Sequence, residues 1–177
     1  MGRWFLSWLV LALAAAFPAW AENRIAMVVG INDYQNVPKL VKAVPDALAM
    51  SAELKSLGFA VTPLLNPTRR EFYAALSAIT GKLQPGDTLV LHYSGHGVQI
   101  DGDNFLLPVD IPSTDSGDKE FLKSEAIALS SLVDRFRNTG VRVQILIIDA
   151  CRDNPFAAGG GTRSRSEEHT LNSSHRH

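Results

Sequence analysis

The sequence predicts an α/β fold with a mostly parallel sheet covered by helices on both faces, and two observations carry that prediction. Short apolar runs recur at Ile25–Ile31, Phe59–Leu65, Thr88–Tyr93 and Val141–Ile148. Between them lie longer segments with helical start and stop signals. Strands that are apolar on both sides need cover on both faces, and parallel neighbours need crossovers long enough to hold a helix. In such sheets, binding and catalytic groups gather at the carboxyl ends of the strands.

Each element has a local reason. Ile25–Ile31 (IAMVVGI) is a buried strand by its unbroken apolar run. Asp46 suits the cap of a helix over Ala47–Leu57, which Gly58 stops. Phe59–Leu65 is the second strand. Thr68 and Glu71 have the spacing of a capping box and open a helix to about Lys82, broken by Gly81, Pro85 and Gly86. Thr88–Tyr93 is the third strand. Val98–Leu107 reads as a hairpin around an Asp101-Gly102 turn, and Asp110–Lys123 as a polar loop. Leu129–Asn138 is a helix, and Val141–Ile148 is the fourth strand.

A chain of 177 residues, 46% hydrophobic and 20% charged, supports one globular domain. The net charge of -1 gives no electrostatic argument for nucleic acid or an anionic membrane as partner. A single cysteine excludes an internal disulfide and a cysteine metal cluster. At the N-terminus, Arg3, the apolar run Trp4–Phe17 and the small residues of Ala19-Trp20-Ala21 form the pattern of a secretory signal cut after Ala21. The run is short for a span of roughly 20 residues, so no stable membrane association is expected after cleavage. The mature chain is expected to be exported, periplasmic or secreted.

The chemistry concentrates in two stretches. "LVLHYSGHG" (Leu89–Gly97) ends in a histidine held between glycines, and "ILIIDACRDNP" (Ile145–Pro155) ends in the only cysteine. His96 falls just past one strand and Cys151 just past another. Neighbouring parallel strands lie about 4.8 Å apart, so an imidazole and a thiol on such ends come within reach. A histidine beside a thiol takes its proton and later protonates a leaving amine. Gly95 and Gly97 are read as permitting a sharp turn with open space beside the ring. The Gly97 N–H is also suited to a developing oxyanion. His92, inside the strand, reads as a packed or hydrogen-bonded side chain.

These stretches resemble the caspase-like cysteine peptidases, especially the metacaspase and bacterial orthocaspase branch. The resemblance runs from about Ile25 to Phe156 through "VVGINDY", "YSGHG", "DGDNFLLPVD" and "IIDACRDNP", with His96 standing 55 residues before Cys151. It implies the three-layer caspase-like fold, a peptidase acting on protein or peptide substrates, His96 and Cys151 as the dyad, and the N–H groups of Gly97 and Cys151 as the oxyanion hole. This chain has Asp149-Ala150-Cys151-Arg152 where the caspase signature has glutamine before the alanine. In metacaspases an aspartate at that place helps form a pocket for a basic residue. Residues two apart on a strand point the same way, so Asp149 can flank the substrate side chain and favour arginine or lysine over aspartate.

Three further expectations complete the reading. Some metacaspases need calcium, but Asp101, Asp103, Asp110, Asp115 and Asp118 show no ordered ligand spacing. They read as a solvated loop, and no metal or cofactor is assigned. From residue 159 a glycine run leads into a tail without apolar periodicity, expected to be disordered. The DNA string AGATCGGAAGAGCACACG translates as Arg165–Thr170. Its continuation CTGAACTCCAGTCAC, with one base dropped, translates as Leu171–His175. A sequencing adapter read as protein explains both, so the native sequence is expected to stop before Arg165, leaving a caspase-like sheet incomplete at its C-terminal side and a poor enzyme. The alternative to a peptidase is a non-catalytic caspase-like module that binds or regulates; a nucleotide-binding domain is disfavoured because no G-x-G-x-x-G follows the first strand.

Overall fold

Ala26, Met27, Val28 and Val29 are all fully buried, which only a strand covered on both faces can achieve. They belong to β1 (Arg24–Gly30), which lies between parallel partners β2 (Ala60–Leu65) and β3 (Thr88–Ile100). β3 is in turn parallel to β6 (Val143–Cys151). The four strands predicted as parallel are therefore parallel, in the order β2-β1-β3-β6. The computed structural model describes residues 22–114, 118–151 and 155–156. The leader read at Met1–Ala21 and the tail from residue 159 lie outside the described residues, as does the side chain of Cys151.

The helices form two outer layers. Helix α1 (Ala43–Ser56) covers one face, where Ala47 and Leu54 pack on Ala26, Val28 and Val90. Helices α2 (Arg69–Thr80) and α4 (Leu129–Arg137) cover the other, where Phe72, Leu76, Leu132 and Phe136 share a cluster with Met27, Val29, Leu89, Leu91 and Tyr93. This is the expected three-layer α/β arrangement. Pro63 in β2 loses no ladder bond that matters, because β2 is the edge beyond β1. At the other side, β6 is paired with β3 and with no other described strand, and Val143, Ile145 and Ile147 stand exposed on its α1 side.

The capping box at α2 is present as predicted: Thr68 Oγ1 accepts from the Glu71 N–H at 3.2 Å while a Glu71 carboxylate oxygen accepts from the Thr68 N–H at 2.9 Å. The Asp101-Gly102 turn also holds. Both residues have positive φ, 50° and 88°, as the two-residue hairpin between β3 and β4 (Asp103–Leu106) requires.

Three expectations are corrected. Asp46 is not the cap of α1; the helix starts at Ala43, with no side-chain cap at Lys42. Pro45 is harmless in a first turn, where its missing N–H has no helical acceptor, so the helix runs ahead of it. The supposed polar loop contains a helix, α3 (Lys119–Glu125), nucleated by Asp118 accepting from the Phe121 N–H at 3.0 Å and anchored by buried Leu122. β5 (Ile127–Ala128) follows it and pairs with β4. The third strand does not end at Tyr93. It continues through Ser94-Gly95-His96-Gly97, because β6 pairs with it as far as His96 and β4 from Gly97 onward. The glycines sit in extended backbone, and the chain makes no turn there.

Candidate active site

The register settles which chemistry-bearing residues meet. His96 is the direct neighbour of Cys151 across the parallel β3–β6 ladder, and Ser94 is the neighbour of Asp149. Cys151 is the last residue of β6, so both members of the predicted pair stand at one edge of the sheet.

The His96 ring has a defined orientation. Its Nε2 lies 2.8 Å from the carbonyl oxygen of Pro38. A carbonyl only accepts, so Nε2 carries the hydrogen and Nδ1 keeps its lone pair in the neutral ring. Pro38 lies in the loop between β1 and α1. The Gln35 N–H bonds to Val109 O at 3.0 Å and Asn36 Nδ2 to Ile111 O at 3.0 Å, tying that loop to the chain after β4. The ring of Tyr34 lies against the imidazole, centroids 4.7 Å apart at 48°.

Gly97 has its own geometry. The Leu107 N–H donates to His96 O at 3.1 Å, which makes Gly97 and Leu106 a pair without mutual ladder bonds. Successive peptide groups of a strand point to opposite edges. The Gly97 N–H therefore points away from β4, to the side on which β6 ends.

Asp149 is exposed beside a cavity of about 340 Å³ that it lines together with Leu40, Lys42, Asp46 and Ser94. The Ser94 hydroxyl donates to an Asp149 carboxylate oxygen at 3.4 Å. Two carboxylates, from β6 and α1, thus face one opening. His92 lies under the same face of β3 and is only 4% exposed. Its Nδ1 has no partner among the described residues, and burial pushes its pKa down against the pull of Asp149 and Asp46. The reading of His92 as a packed side chain holds.

With this geometry in place, the family follows from comparison with known proteins. The sequence profile of the caspase domain matches residues 23–176. The chain belongs to the caspase-domain peptidase family. It is 25% identical over 132 residues to human mucosa-associated lymphoid tissue lymphoma translocation protein 1, covering 75% of this chain and 15% of that protein. It is 30% identical over 158 residues to a probable protease of a Desulfuromonadales bacterium (74% of this chain, 18% of that one). To metacaspase-1A of Neurospora crassa it is 35% identical over 109 residues, covering 50% of this chain and 24% of that protein. The chain thus spans less than a quarter of the length of each of these relatives. A solved structure from Geobacter sulfurreducens superposes with a TM-score of 0.58 at 27% identity, over 73% of this chain and 50% of that one.

Two residues beside the candidate site escaped the sequence. Pro38 acts through a backbone carbonyl, for which no residue type is a signal. Asp46 looked like a helix cap, and an acidic residue in a first turn reads the same whether it serves the helix or a cavity. The acidic segment resolves into separate local roles. Asp101 pairs with Lys119 at 3.4 Å and Lys123 at 2.7 Å, Asp103 accepts from Ser130, Asp110 accepts from the Arg69 N–H at 2.9 Å, and Asp118 caps α3. Asp115 lies outside the described residues. No group of three or more potential ligands forms a metal site among the described residues.

Proposed function

We propose that this caspase-domain chain carries the catalytic dyad of a cysteine endopeptidase whose full-length form cleaves after arginine or lysine, with Cys151 as nucleophile and His96 as its base. The observation that carries the reading is the His96–Cys151 register, combined with an imidazole whose Nε2–H is held by Pro38. In the proposed reaction, His96 Nδ1 takes the thiol proton and the thiolate attacks the scissile carbonyl carbon. The oxyanion accepts N–H bonds from Gly97 and Cys151. His96 then returns the proton to the leaving amine as the C–N bond breaks, and water hydrolyses the thioester to release the acid and regenerate the thiol.

The specificity rests on Asp149 and Asp46. A guanidinium or ammonium entering between two carboxylates makes charge-assisted bonds, whereas an aspartate side chain would meet like charge. Ser94 adds a neutral hydroxyl to the same wall. By the leader read at its N-terminus, the enzyme acts outside the cytoplasm, which fractionation of expressing cells would test.

Cleavage of a peptide panel differing only in the residue before the scissile bond tests the rest. Arginyl and lysyl peptides should be cut, and Cys151→Ala or His96→Ala should lower the rate by about a hundredfold or more. Preference for an acidic residue would overturn the specificity. Unchanged cleavage in either variant would overturn the dyad, and a wild type that cuts no peptide would leave the non-catalytic module.

A further inference from the structure

β1 ends too early to serve His96. Its last residue, Gly30, is level with Ser94, and the next backbone bond, Ile31 N–H to Ser94 O at 3.0 Å, is the last that the β1 segment gives to β3. The N–H and C=O of His96 point to that same edge, where the C=O accepts from the Leu107 N–H at 3.1 Å and no described backbone group receives the N–H. An N–H without a backbone partner at a strand end leaves the residue free to fray, and a base must be held to within a fraction of an ångström.

Two phenols meet the His96 backbone at this edge. The His96 N–H donates to the Tyr34 hydroxyl oxygen at 2.7 Å. The Tyr93 hydroxyl donates to His96 O at 2.6 Å, with Leu107 O 2.9 Å away. The two hydroxyl oxygens are 3.2 Å apart, and the Tyr34 hydroxyl also reaches Leu107 O at 3.3 Å. Tyr34 is 2% exposed and Tyr93 is fully buried. Burial keeps both phenols protonated, raising Tyr34 to about 12 and Tyr93 well above its usual value, so each keeps the hydrogen that this network needs.

Gly95 is the third part of the arrangement. A Cβ there would lie 2.6 Å from the Tyr34 hydroxyl oxygen, 2.7 Å from that of Tyr93 and 2.9 Å from the Tyr93 ring. The glycine before His96 thus admits the two phenols; it does not turn the chain.

We propose that Tyr34 and Tyr93 are positioning residues for His96: the Tyr34 hydroxyl takes the N–H that β1 no longer receives, the Tyr93 hydroxyl joins the Leu107 N–H on the C=O, and together they fix the backbone that carries the imidazole beside Cys151 in the β3–β6 register. The proposal rests on the reading of His96 as the base of the dyad. Both tyrosines lie on the α2 side of the sheet, opposite the Asp46–Asp149 cavity, so they act on His96 without touching the specificity pocket.

Cys151 is the only cysteine, so iodoacetamide reports on it alone in the full chain. The experiment compares alkylation rate against pH for wild type, His96→Ala, Tyr34→Phe and Tyr93→Phe, with kcat and KM for an arginyl peptide and thermal unfolding of each. A nearby imidazolium stabilises the thiolate, so releasing the ring moves the alkylation midpoint up toward the free-thiol value of about 8.5. Both Phe variants should move toward His96→Ala, alkylate at least about threefold more slowly at neutral pH, and lose kcat with KM unchanged. Phe variants that match wild type while His96→Ala differs would overturn the clamp and leave the dyad standing. A wild type indistinguishable from His96→Ala would overturn the dyad, and the clamp with it. A Phe variant that unfolds at assay temperature, or that loses kcat and KM together, would also overturn the proposal. Removing a hydroxyl that only positions His96 leaves both rings packed in the core.

Discussion

Replacing Gly30 by alanine puts a methyl group into the closest approach between the sheet and α1. The added Cβ would stand 2.6 Å from Ala43 O, 2.6 Å from Ala47 Cβ and 3.0 Å from Val44 Cα. Carbon contacts settle at about 3.5–4.0 Å, so the helix must retreat by about 1 Å at this point. None of the three atoms can rotate aside, because two are backbone and the third is bonded directly to it. Overpacking of this kind costs about 1–3 kcal/mol, and each kcal/mol lowers the Tm of a domain this size by roughly 2–4 °C. Asp46 lies between Val44 and Ala47 on the displaced turn, so the wall it forms with Asp149 should open as well. Scanning calorimetry together with kcat and KM for an arginyl peptide reads both effects. The expected result is a lower Tm and a raised KM, with kcat little changed because the Pro38–His96 contact lies outside α1. Leu48→Ala is the control: Leu48 is half exposed on the same helix, and its loss should cost no more than about 0.5 kcal/mol. A Tm for Gly30→Ala within about 1 °C of wild type would refute the close approach. A fall in kcat at constant KM would refute the link from helix to pocket.

Asp149→Asn and Asp46→Asn should each lower kcat/KM for arginyl peptides by about tenfold or more, as expected for a lost charge-assisted bond, and an equal loss on uncharged peptides would contradict the pocket. Because burial holds His92 below the usual imidazole value, the unfolded chain binds the extra proton, so this residue's contribution to stability is fullest above about pH 6.5 and falls as pH drops below it. The slope is at most ~1.4 kcal/mol per pH unit, and urea midpoints of His92→Gln should show a shallower acid limb than wild type; identical limbs would count against it. Thr68→Ala should destabilise by about 1 kcal/mol through loss of the α2 capping box, and an unchanged urea midpoint would mean that water replaces the cap at no cost.

The four parallel strands were legible because their apolar runs are long enough to leave no second reading, and His96 and Cys151 were read as a candidate pair because each follows such a run. What the sequence hid has physical causes. The extension of β3 through Ser94–Gly97 is invisible to hydropathy, since the residues turn polar and small where the ladder continues. Helix α3 is short, and one buried leucine among charged neighbours gives it no period to detect. Pro38 serves through its backbone. Tyr34 and Tyr93 carry no spacing signal, because the network joining them spans 59 residues of chain.

The alternation of β3 explains how so short a motif holds so many roles. Residues two apart on a strand face the same side. His92 and Ser94 face α1, beneath and beside the cavity formed with Asp46 and Asp149, while Tyr93 and Gly95 face α2, where the phenols meet. The proposed specificity wall and the proposed positioning phenols are therefore separated by the thickness of the sheet and are joined only at His96, where the ladder to β6 ends on Cys151. A single-residue slip of β3 would exchange its two faces, turning the Tyr93 phenol toward the carboxylate cavity and His92 into the core on the α2 side. The pairing of β3 with β1 and β6, from Thr88 onward in both cases, is what prevents that slip, so the stability of the sheet and the placement of the candidate chemistry are one property of the same register.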